Sequence, residues 1–186
     1  QYIKLALGSF EPHKRRVIAV GGLAGTGKST LSSLLSQNLQ AVHIRSDAVR
    51  KHLSGVATAL KAPPSAYSEE MNKRTYRGML ERAYHVIRAN RTVVLDAAYH
   101  SAHWREETES FAEELNVPFI GIWCEVSPKI AQERVRIRVG DISDADESVV
   151  KLQQTYELGH IDWSRLDTSQ HEDQSVAAAM SRLYDI

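Results

Sequence analysis

The chain has few of the residues that mark secreted, membrane-spanning or strongly nucleic-acid-binding proteins. Of its 186 residues one is cysteine and five are proline, and 23 basic side chains balance 23 acidic ones. A single cysteine excludes a disulfide framework or a cysteine-based metal site within the chain. No apolar stretch approaches transmembrane length, and the opening residues 1–7 are too interrupted for a signal peptide. These absences predict a cytoplasmic protein without a membrane partner, and the neutral charge does not favour nucleic acid as a partner.

The length and the first residues indicate how the chain is divided. A chain of 186 residues suits one α/β domain that buries its core without disulfides or a structural metal. The first residue is glutamine, and Glu11-Pro12-His13-Lys14 has the composition of a linker. We therefore expect residues 1–14 to be a linker or the tail of an upstream domain, and residues 15–186 to form the functional domain. Cys124 lies in an apolar run, which predicts a thiol packed in the core.

One segment carries the strongest functional signal. The run Gly22-Leu23-Ala24-Gly25-Thr26-Gly27-Lys28-Ser29 fills every fixed position of the pattern G-x-x-x-x-G-K-[ST]. A β-branched apolar run at residues 17–20 precedes it, and residues 29–35 follow with helical apolar spacing. Strand, glycine-rich loop and helix in this order form a phosphate-binding loop. The glycines let backbone N–H groups turn toward phosphates, and the helix N terminus adds positive partial charge.

This loop predicts binding of a nucleoside triphosphate, so the expected cofactors are ATP and Mg²⁺. Lys28 would reach the β- and γ-phosphates, and the Ser29 hydroxyl would be a Mg²⁺ ligand. The guanine-reading pattern Asn-Lys-x-Asp is absent from the sequence, which disfavours a GTPase. The residues expected to bind the nucleotide are Gly22, Leu23, Ala24, Gly25, Thr26, Gly27, Lys28, Ser29 and Thr30.

Strand-like and helical segments alternate along the rest of the chain. The alternation predicts a three-layer α/β fold of the phosphate-loop NTPase type. This predicted fold has a mainly parallel five-stranded sheet, helices on both faces and a helical lid. Ligands then belong at the carboxyl ends of the strands. Further strands are predicted at residues 41–44, 92–96, 117–125 and 165–166, and helices at about 47 onward, 68–90, 101–116, 128–139, 145–158 and 174–184.

An aspartate closes the clearest of these strands. Asp96 follows the apolar run at residues 92–95, at the carboxyl end where a second acidic residue of a phosphate-loop enzyme orients Mg²⁺ or its bound water. Asp96 and Ser29 are therefore the predicted metal residues. Strand-ending aspartates also form turns and cap helices, which is the alternative interpretation.

Asp47 and Arg50 lie three residues apart at the start of a helix that directly follows the second strand. This spacing points both side chains the same way, toward the strand ends. Asp47 could accept the proton of a substrate hydroxyl, and Arg50 could anchor the substrate, so both are predicted substrate-binding residues. Alternatively, Asp47 caps its helix and Arg50 is a solvated side chain.

A basic helix is predicted to follow Pro128. Arg134 and Arg138 are four residues apart and share one face, whereas Arg136 points away. Phosphoryl transfer needs cations over the migrating phosphate, so this helix and the Gly-Asp-Ile-Ser-Asp segment at residues 140–144 resemble a lid that closes over ATP. The predicted catalytic residues are thus Lys28, Asp47, Arg134 and Arg138. The alternative is an ordinary solvated face.

These motifs together resemble those of small P-loop kinases of the zeta-toxin and polynucleotide-kinase-like group, over about residues 15–186. The segments that carry the resemblance are the loop, Arg45-Ser46-Asp47-Ala48-Val49-Arg50, Val93-Val94-Leu95-Asp96-Ala97 and Arg134-x-x-x-Arg138. The chain looks most similar to an AAA-type kinase domain that is often fused behind an aminoglycoside-phosphotransferase-like domain. That domain has a later Ser-Asp-Ala segment, here Ser143-Asp144-Ala145.

The resemblance implies ATP-dependent transfer of the γ-phosphoryl group to a hydroxyl. Asp47 matches the group's catalytic aspartate, Arg50 its acceptor-site arginine, and Arg134 and Arg138 its lid arginines. We expect a kinase with a small-molecule hydroxyl acceptor, such as a sugar, nucleotide sugar or antibiotic-like compound, and with an upstream fused domain as a further partner. A polynucleotide 5′-hydroxyl kinase and a nucleotide-binding regulatory switch module without kinase activity are the alternatives.

Overall fold

A computed structural model describes residues 15–137 and 142–184. One sheet of five strands forms its centre, in the order β2-β3-β1-β4-β5, and every pair of neighbouring strands is parallel. The predicted five-stranded α/β fold is therefore confirmed. The strands are β1 (Val17–Gly21), β2 (Val42–Arg45), β3 (Val93–Asp96), β4 (Phe119–Glu125) and β5 (Ser164–Asp167).

Helices cover both faces of the sheet, as parallel connections require. A short 3₁₀ helix, Pro64–Tyr67, begins within a break in the chain formed by Pro63 and Pro64, which we call the proline break. The α-helices of the described residues are α1 (Lys28–Leu39), α2 (Ser46–Leu53), α3 (Glu69–Arg88), α4 (Ala102–Glu114), α5 (Pro128–Ile137), α6 (Glu147–Gln153) and α7 (Glu172–Tyr184). None of these helices is long and apolar enough to cross a membrane.

The two faces of the sheet carry separate cores because successive strand residues point to opposite sides. On one face Val17 and Leu95 pack with side chains of α3, such as Met79. On the other, Ile18 and the fully buried Cys124 pack with α1 and α7. Burial raises the pKa of Cys124 to about 12, which fits the predicted core thiol.

The segment after α6 differs from the sequence prediction. The periodicity predicts helix to about Leu158, but α6 ends at Gln153. After Gln153 the chain makes tight turns instead, in which the Thr155 N–H donates to the Leu152 carbonyl oxygen and the Tyr156 N–H to that of Gln153. Further along, Nη2 of the buried Arg105, on α4, donates to the carbonyl oxygens of Leu158 and His160 at 2.7 and 2.8 Å.

Candidate functional site

The phosphate loop lies at the carboxyl edge of the sheet, between β1 and α1. Gly25 and Gly27 have φ of 79° and 81°, which side chains rarely adopt. A Cβ at Gly25 would also lie 2.4 Å from the Ala131 carbonyl oxygen. Gly27 is the N-cap of α1, and no side chain caps that helix end. The N–H groups of the first turn therefore remain available to an anion.

Side chains from two other parts of the chain, and one from the loop itself, hold this loop. The Thr168 hydroxyl, after β5, donates to the Thr26 carbonyl oxygen at 2.5 Å. Within the loop, the Thr26 hydroxyl donates to the Leu23 carbonyl oxygen at 2.8 Å. The Ala24 N–H donates to Oε1 of Gln153, at the end of α6, at 2.7 Å. These hydrogen bonds tie the loop to the segment after β5 and to the end of α6.

A pocket of about 300 Å³ opens from the loop toward the start of α7. Its size is at the lower end for small-molecule sites. It joins loop backbone at one end to polar side chains at the other, as a nucleotide with phosphates on the loop would require. The residues that line it are Gly25, Gly27, Lys28, Ser29, Thr30, Leu31, Leu34, Arg134, Val135, Thr168, Gln170, Glu172 and Ser175.

Arg134 reaches this pocket from α5. Its Nη2 donates to the Thr168 carbonyl oxygen at 2.7 Å, and its Nη1 lies 3.2 Å from where a Cβ on Gly27 would be. The structure thus brings Arg134 to the phosphate loop. Arg136 is exposed, as its helical position predicts. Arg138 lies outside the described residues, so its predicted role stays a prediction.

Asp96 is buried beside the loop. Its Oδ2 lies 3.3 Å from Nε2 of His43 and 3.5 Å from Nε of Arg45, both on β2. Burial acts to raise the pKa of Asp96, but hydrogen bonds from His43 and Ser29 and the charge of Lys28 hold it below its ordinary value. The carboxylate is therefore ionised at neutral pH and close to the Ser29 hydroxyl.

The donor set around Ser29 suits a magnesium ion held mainly through phosphates. One hydroxyl and one ionised carboxylate are the oxygen donors that Mg²⁺ uses when phosphates and water complete its shell. Among the described residues there is no group of three or more His, Cys, Asp or Glu side chains that could hold a metal by itself. Because Asp96 also faces His43 and Arg45, it fits contact through bound water better than direct ligation.

Asp47 and Arg50 lie on α2, beside the carboxyl end of β2. The helix begins at Ser46 and its N-cap residue is Arg45, so Asp47 does not cap it. Asp47 is half-buried. Burial raises the pKa of Tyr76 to about 12. The charge of Arg50 acts to lower this pKa and the charge of Asp47 acts to raise it, so both side chains lie near Tyr76.

Arg50 is buried rather than solvated, contrary to the alternative interpretation. Its Nη1 donates to the Ala66 carbonyl oxygen at 2.8 Å and to Oδ1 of Asn72 at 2.7 Å. Its guanidinium carbon lies 5.0 Å from the centroid of the Tyr67 ring, in cation–π range. The side chain is therefore held in one position by the 3₁₀ helix and α3.

Sequence reasoning missed several residues that shape this site. His43 belongs to no motif named above, although it pairs with Asp96. Alternation along β2 could have placed His43 and Arg45 on one face of the strand, next to the β3 carboxylate. Thr168 and Gln153 carry no comparable signal, because their contacts with the loop arise only from the tertiary fold.

Curated relatives of the chain include uncharacterized proteins of Mycobacterium tuberculosis (Rv2004c) and Mycobacterium bovis (Mb2027c). Each is 26% identical over 172 residues, a match that covers 88% of this chain and 34% of the relative. The chain thus spans about a third of the length of these relatives.

Several solved structures share the fold. A gluconokinase from Sinorhizobium meliloti superposes with a TM-score of 0.66 at 19% identity, over 92% of this chain and 95% of that one. The APS kinase CysC of Mycobacterium tuberculosis, solved with AMPPNP and APS, gives 0.68 at 16% identity over 91% and 98%. Kti12 of Chaetomium thermophilum, solved with ADP-AlF₃, gives 0.65 at 19% over 91% and 97%.

A family model described as AAA domain, AAA_33, matches residues 17–157. The match begins at β1 and extends past α6, so it contains the phosphate loop, Asp47, Asp96 and Arg134. The chain belongs to this AAA domain family.

Proposed function

We propose that the protein is an ATP-dependent kinase that transfers the γ-phosphoryl group to a hydroxyl of a small molecule. The observation that carries the proposal is the pocket that runs from Lys28 and Ser29 beneath Arg134 to the start of α7. It supplies backbone donors and cations for a triphosphate at one end. The similarity in fold to a gluconokinase and an APS kinase supports the same reaction class.

Each proposed catalytic side chain has a task that its position allows. Lys28 and Arg134 neutralise charge that spreads over the transferred phosphoryl oxygens. Asp47, half-buried on α2, accepts the proton of the acceptor hydroxyl. Arg50 binds the acceptor from the same helix. Bound Mg²⁺ would neutralise the β- and γ-phosphate oxygens, and Ser29 and Asp96 would hold it.

The assignment of the chain to a particular group of P-loop kinases rests on the sequence resemblance. We propose that the chain is a kinase of the zeta-toxin and polynucleotide-kinase-like group and acts in the cytoplasm, where ATP is available. The curated relatives extend well beyond the matched region. An upstream fused domain, with residues 1–14 leading into a kinase domain at 15–186, is proposed on the same basis; residues 1–14 lie outside the described residues.

Phosphorus NMR of ATP·Mg²⁺ with the purified protein tests the proposal, first alone and then with pooled sugars, nucleotide sugars, aminoglycosides and a 5′-hydroxyl oligonucleotide. We expect a new phosphoester signal in the small-molecule pools. Asp47→Asn should reduce its rate by about 100-fold or more, as loss of a general base does. Asp162→Asn, on an exposed carboxylate, is the matched control.

The other outcomes separate the alternatives. A phosphoester that forms only with the oligonucleotide would make the protein a polynucleotide kinase. Tight binding of ATP with no turnover in any pool would favour a regulatory switch. Equal rates for Asp47→Asn and wild type would remove Asp47 from the catalytic residues and leave the kinase without a base.

A further inference from the structure

A buried carboxylate joins three segments on the acceptor side of the molecule. Oδ1 of Asp144 lies 2.8 Å from Nζ of Lys51, on α2. Its Oδ2 accepts hydrogen bonds from the Ala62 N–H and the Tyr67 hydroxyl, each at 2.8 Å. We call Asp144, Lys51, Ala62 and Tyr67 the Asp144 network. The side chains of Lys51 and Asp144 are only 2% and 9% exposed, so this is an internal contact rather than a surface ion pair.

The network determines where Arg50 lies. The Tyr67 ring that Asp144 holds packs over the Arg50 guanidinium, and the neighbouring Ala66 carbonyl accepts from it. Lys51, next to Arg50 on α2, also donates to the Thr58 carbonyl oxygen at 3.1 Å. Residues 57–67 are therefore held near both ends, and the second end, Ala66 and Tyr67, forms the wall against which Arg50 rests.

The same chain segment reaches the phosphate loop at its other end. Asp146 caps α6, the helix that begins just after Asp144. This helix is about 10 Å long, at 1.5 Å per residue. At its far end Gln153 accepts from the Ala24 N–H, and Val150 packs with Ala24 and Ala131. A short rigid helix thus connects the phosphate loop to the Arg50 wall.

We propose that Asp144 is a positioning residue that sets Arg50 through Tyr67. We also propose that α6 transmits occupancy of the phosphate loop to residues 57–67. The inference rests on the proposed function, since Arg50 is the proposed acceptor anchor. Nucleotide that orders the loop at Ala24 also orders α6 and, through Asp144, residues 57–67. By linkage, an acceptor on Arg50 raises the affinity for nucleotide by the same factor.

Hydrogen exchange of the wild-type protein with and without AMPPNP·Mg²⁺ tests this coupling without the need for an acceptor. We expect the analogue to slow amide exchange in residues 57–67 by about fivefold or more, the lower end of ordinary coupling. Tyr67→Phe removes only the hydroxyl bond to Asp144 and should reduce this protection while the phosphate loop stays protected. Glu69→Gln removes an exposed pair with Lys73 nearby and should leave the protection unchanged.

A double variant keeps the test valid if single substitutions of the buried pair prevent folding. Asp144→Asn leaves Lys51 buried without a carboxylate, whereas Asp144→Leu combined with Lys51→Met replaces the pair by apolar groups, an exchange that proteins often tolerate. The double variant should keep protection of the phosphate loop by the analogue and lose it in residues 57–67. Protection of both regions in the double variant would overturn the proposal. If AMPPNP·Mg²⁺ protects the wild-type loop but not residues 57–67, the coupling is wrong and the nucleotide site stands. If it protects neither, both fail.

Discussion

The phosphate loop and the Asp144 network hold their shapes by different means. The loop is contiguous in sequence, and backbone conformation shapes it, with left-handed glycines and close approach of Ala131 to Gly25. The network is made from side chains that are distant in sequence, and an ion pair between Lys51 and Asp144 lies at its centre. The difference teaches that the lysines of the two regions serve different purposes. Lys28 lines a ligand pocket, whereas Lys51 pairs with a carboxylate of the protein itself.

Lys28→Ala is expected to have the largest effect, and it should act mainly on turnover. Lys28 lines the pocket, and its charge would stabilise the phosphoryl group most in the transition state. We expect phosphoryl transfer to fall by about 100- to 1,000-fold. Urea unfolding of the variant should show a smaller loss of stability than Lys51→Met, because the buried Asp96 loses the charge of Lys28 but keeps its hydrogen bonds from His43 and Ser29. Phosphorus NMR of ADP formation measures the first quantity, and equal turnover would contradict the role given to Lys28.

Lys51→Met should show the opposite pattern, with loss of stability as the primary effect. It leaves the Asp144 carboxylate in a buried site without its cationic partner. Breaking one side of a buried pair costs about 3 to 5 kcal/mol of unfolding free energy. Because Asp144 is not fully enclosed, we expect the lower end of this range. Lys73→Met, whose partner Glu69 is exposed, is the matched control and should unfold close to wild type.

Urea midpoints of these variants sharpen the comparison between the two regions. If Lys51→Met is as stable as wild type, the Lys51–Asp144 pair is not the anchor of residues 57–67. If Lys28→Ala is as unstable as Lys51→Met, the phosphate-loop lysine has a structural role as well. A clean division between lost turnover and lost stability would support both assignments.

The contrast also explains what the sequence could predict. The Gly22 to Ser29 pattern predicts its structure because a local backbone conformation and one residue at each fixed position define the site. Asp96 and Asp47 were placed correctly at strand ends, since a parallel sheet brings those ends to one edge. The Lys51–Asp144 pair could not be predicted. From sequence alone, a lysine in a polar helix is predicted to lie on the surface, and only the fold shows which carboxylate it pairs with.

Arg50 shows the same limit of sequence-based prediction, although the motif that contains it was recognised. Its spacing from Asp47 predicted an acceptor anchor, a role that stays a prediction, and the structure shows the side chain buried against the 3₁₀ helix and α3. The contacts that fix it come from Ala66, Tyr67 and Asn72, beyond the proline break. Helical periodicity gives no information about a short 3₁₀ helix, so the wall around Arg50 emerges only from the packing of residues 57–67 on α2.

The smallest expected effect concerns His100, on the loop that follows β3. Its Nδ1 is buried without a hydrogen-bond partner, and its ring lies 5.1 Å from that of Tyr156. Burial, followed by the charges of Arg105 and Arg50, lowers its pKa below the ordinary value of 6.5. The folded protein therefore resists protonation at this ring more than the unfolded chain does.

The sign of the pH dependence follows from that difference. As the pH falls from 7 through 6.5, the unfolded chain takes up a proton at residue 100 before the folded protein does, so the free energy of unfolding decreases.

His100→Phe keeps an aromatic ring beside Tyr156 and removes the titration, and His100→Gln removes both. Urea unfolding at pH 7.5, 6.5 and 5.5 should show a shallower decrease in both variants than in wild type. A decrease as steep in either variant would mean that other groups cause the acid destabilisation. If both are shallower, the buried imidazole of His100 causes this part of the acid destabilisation, because burial keeps it neutral in the folded protein.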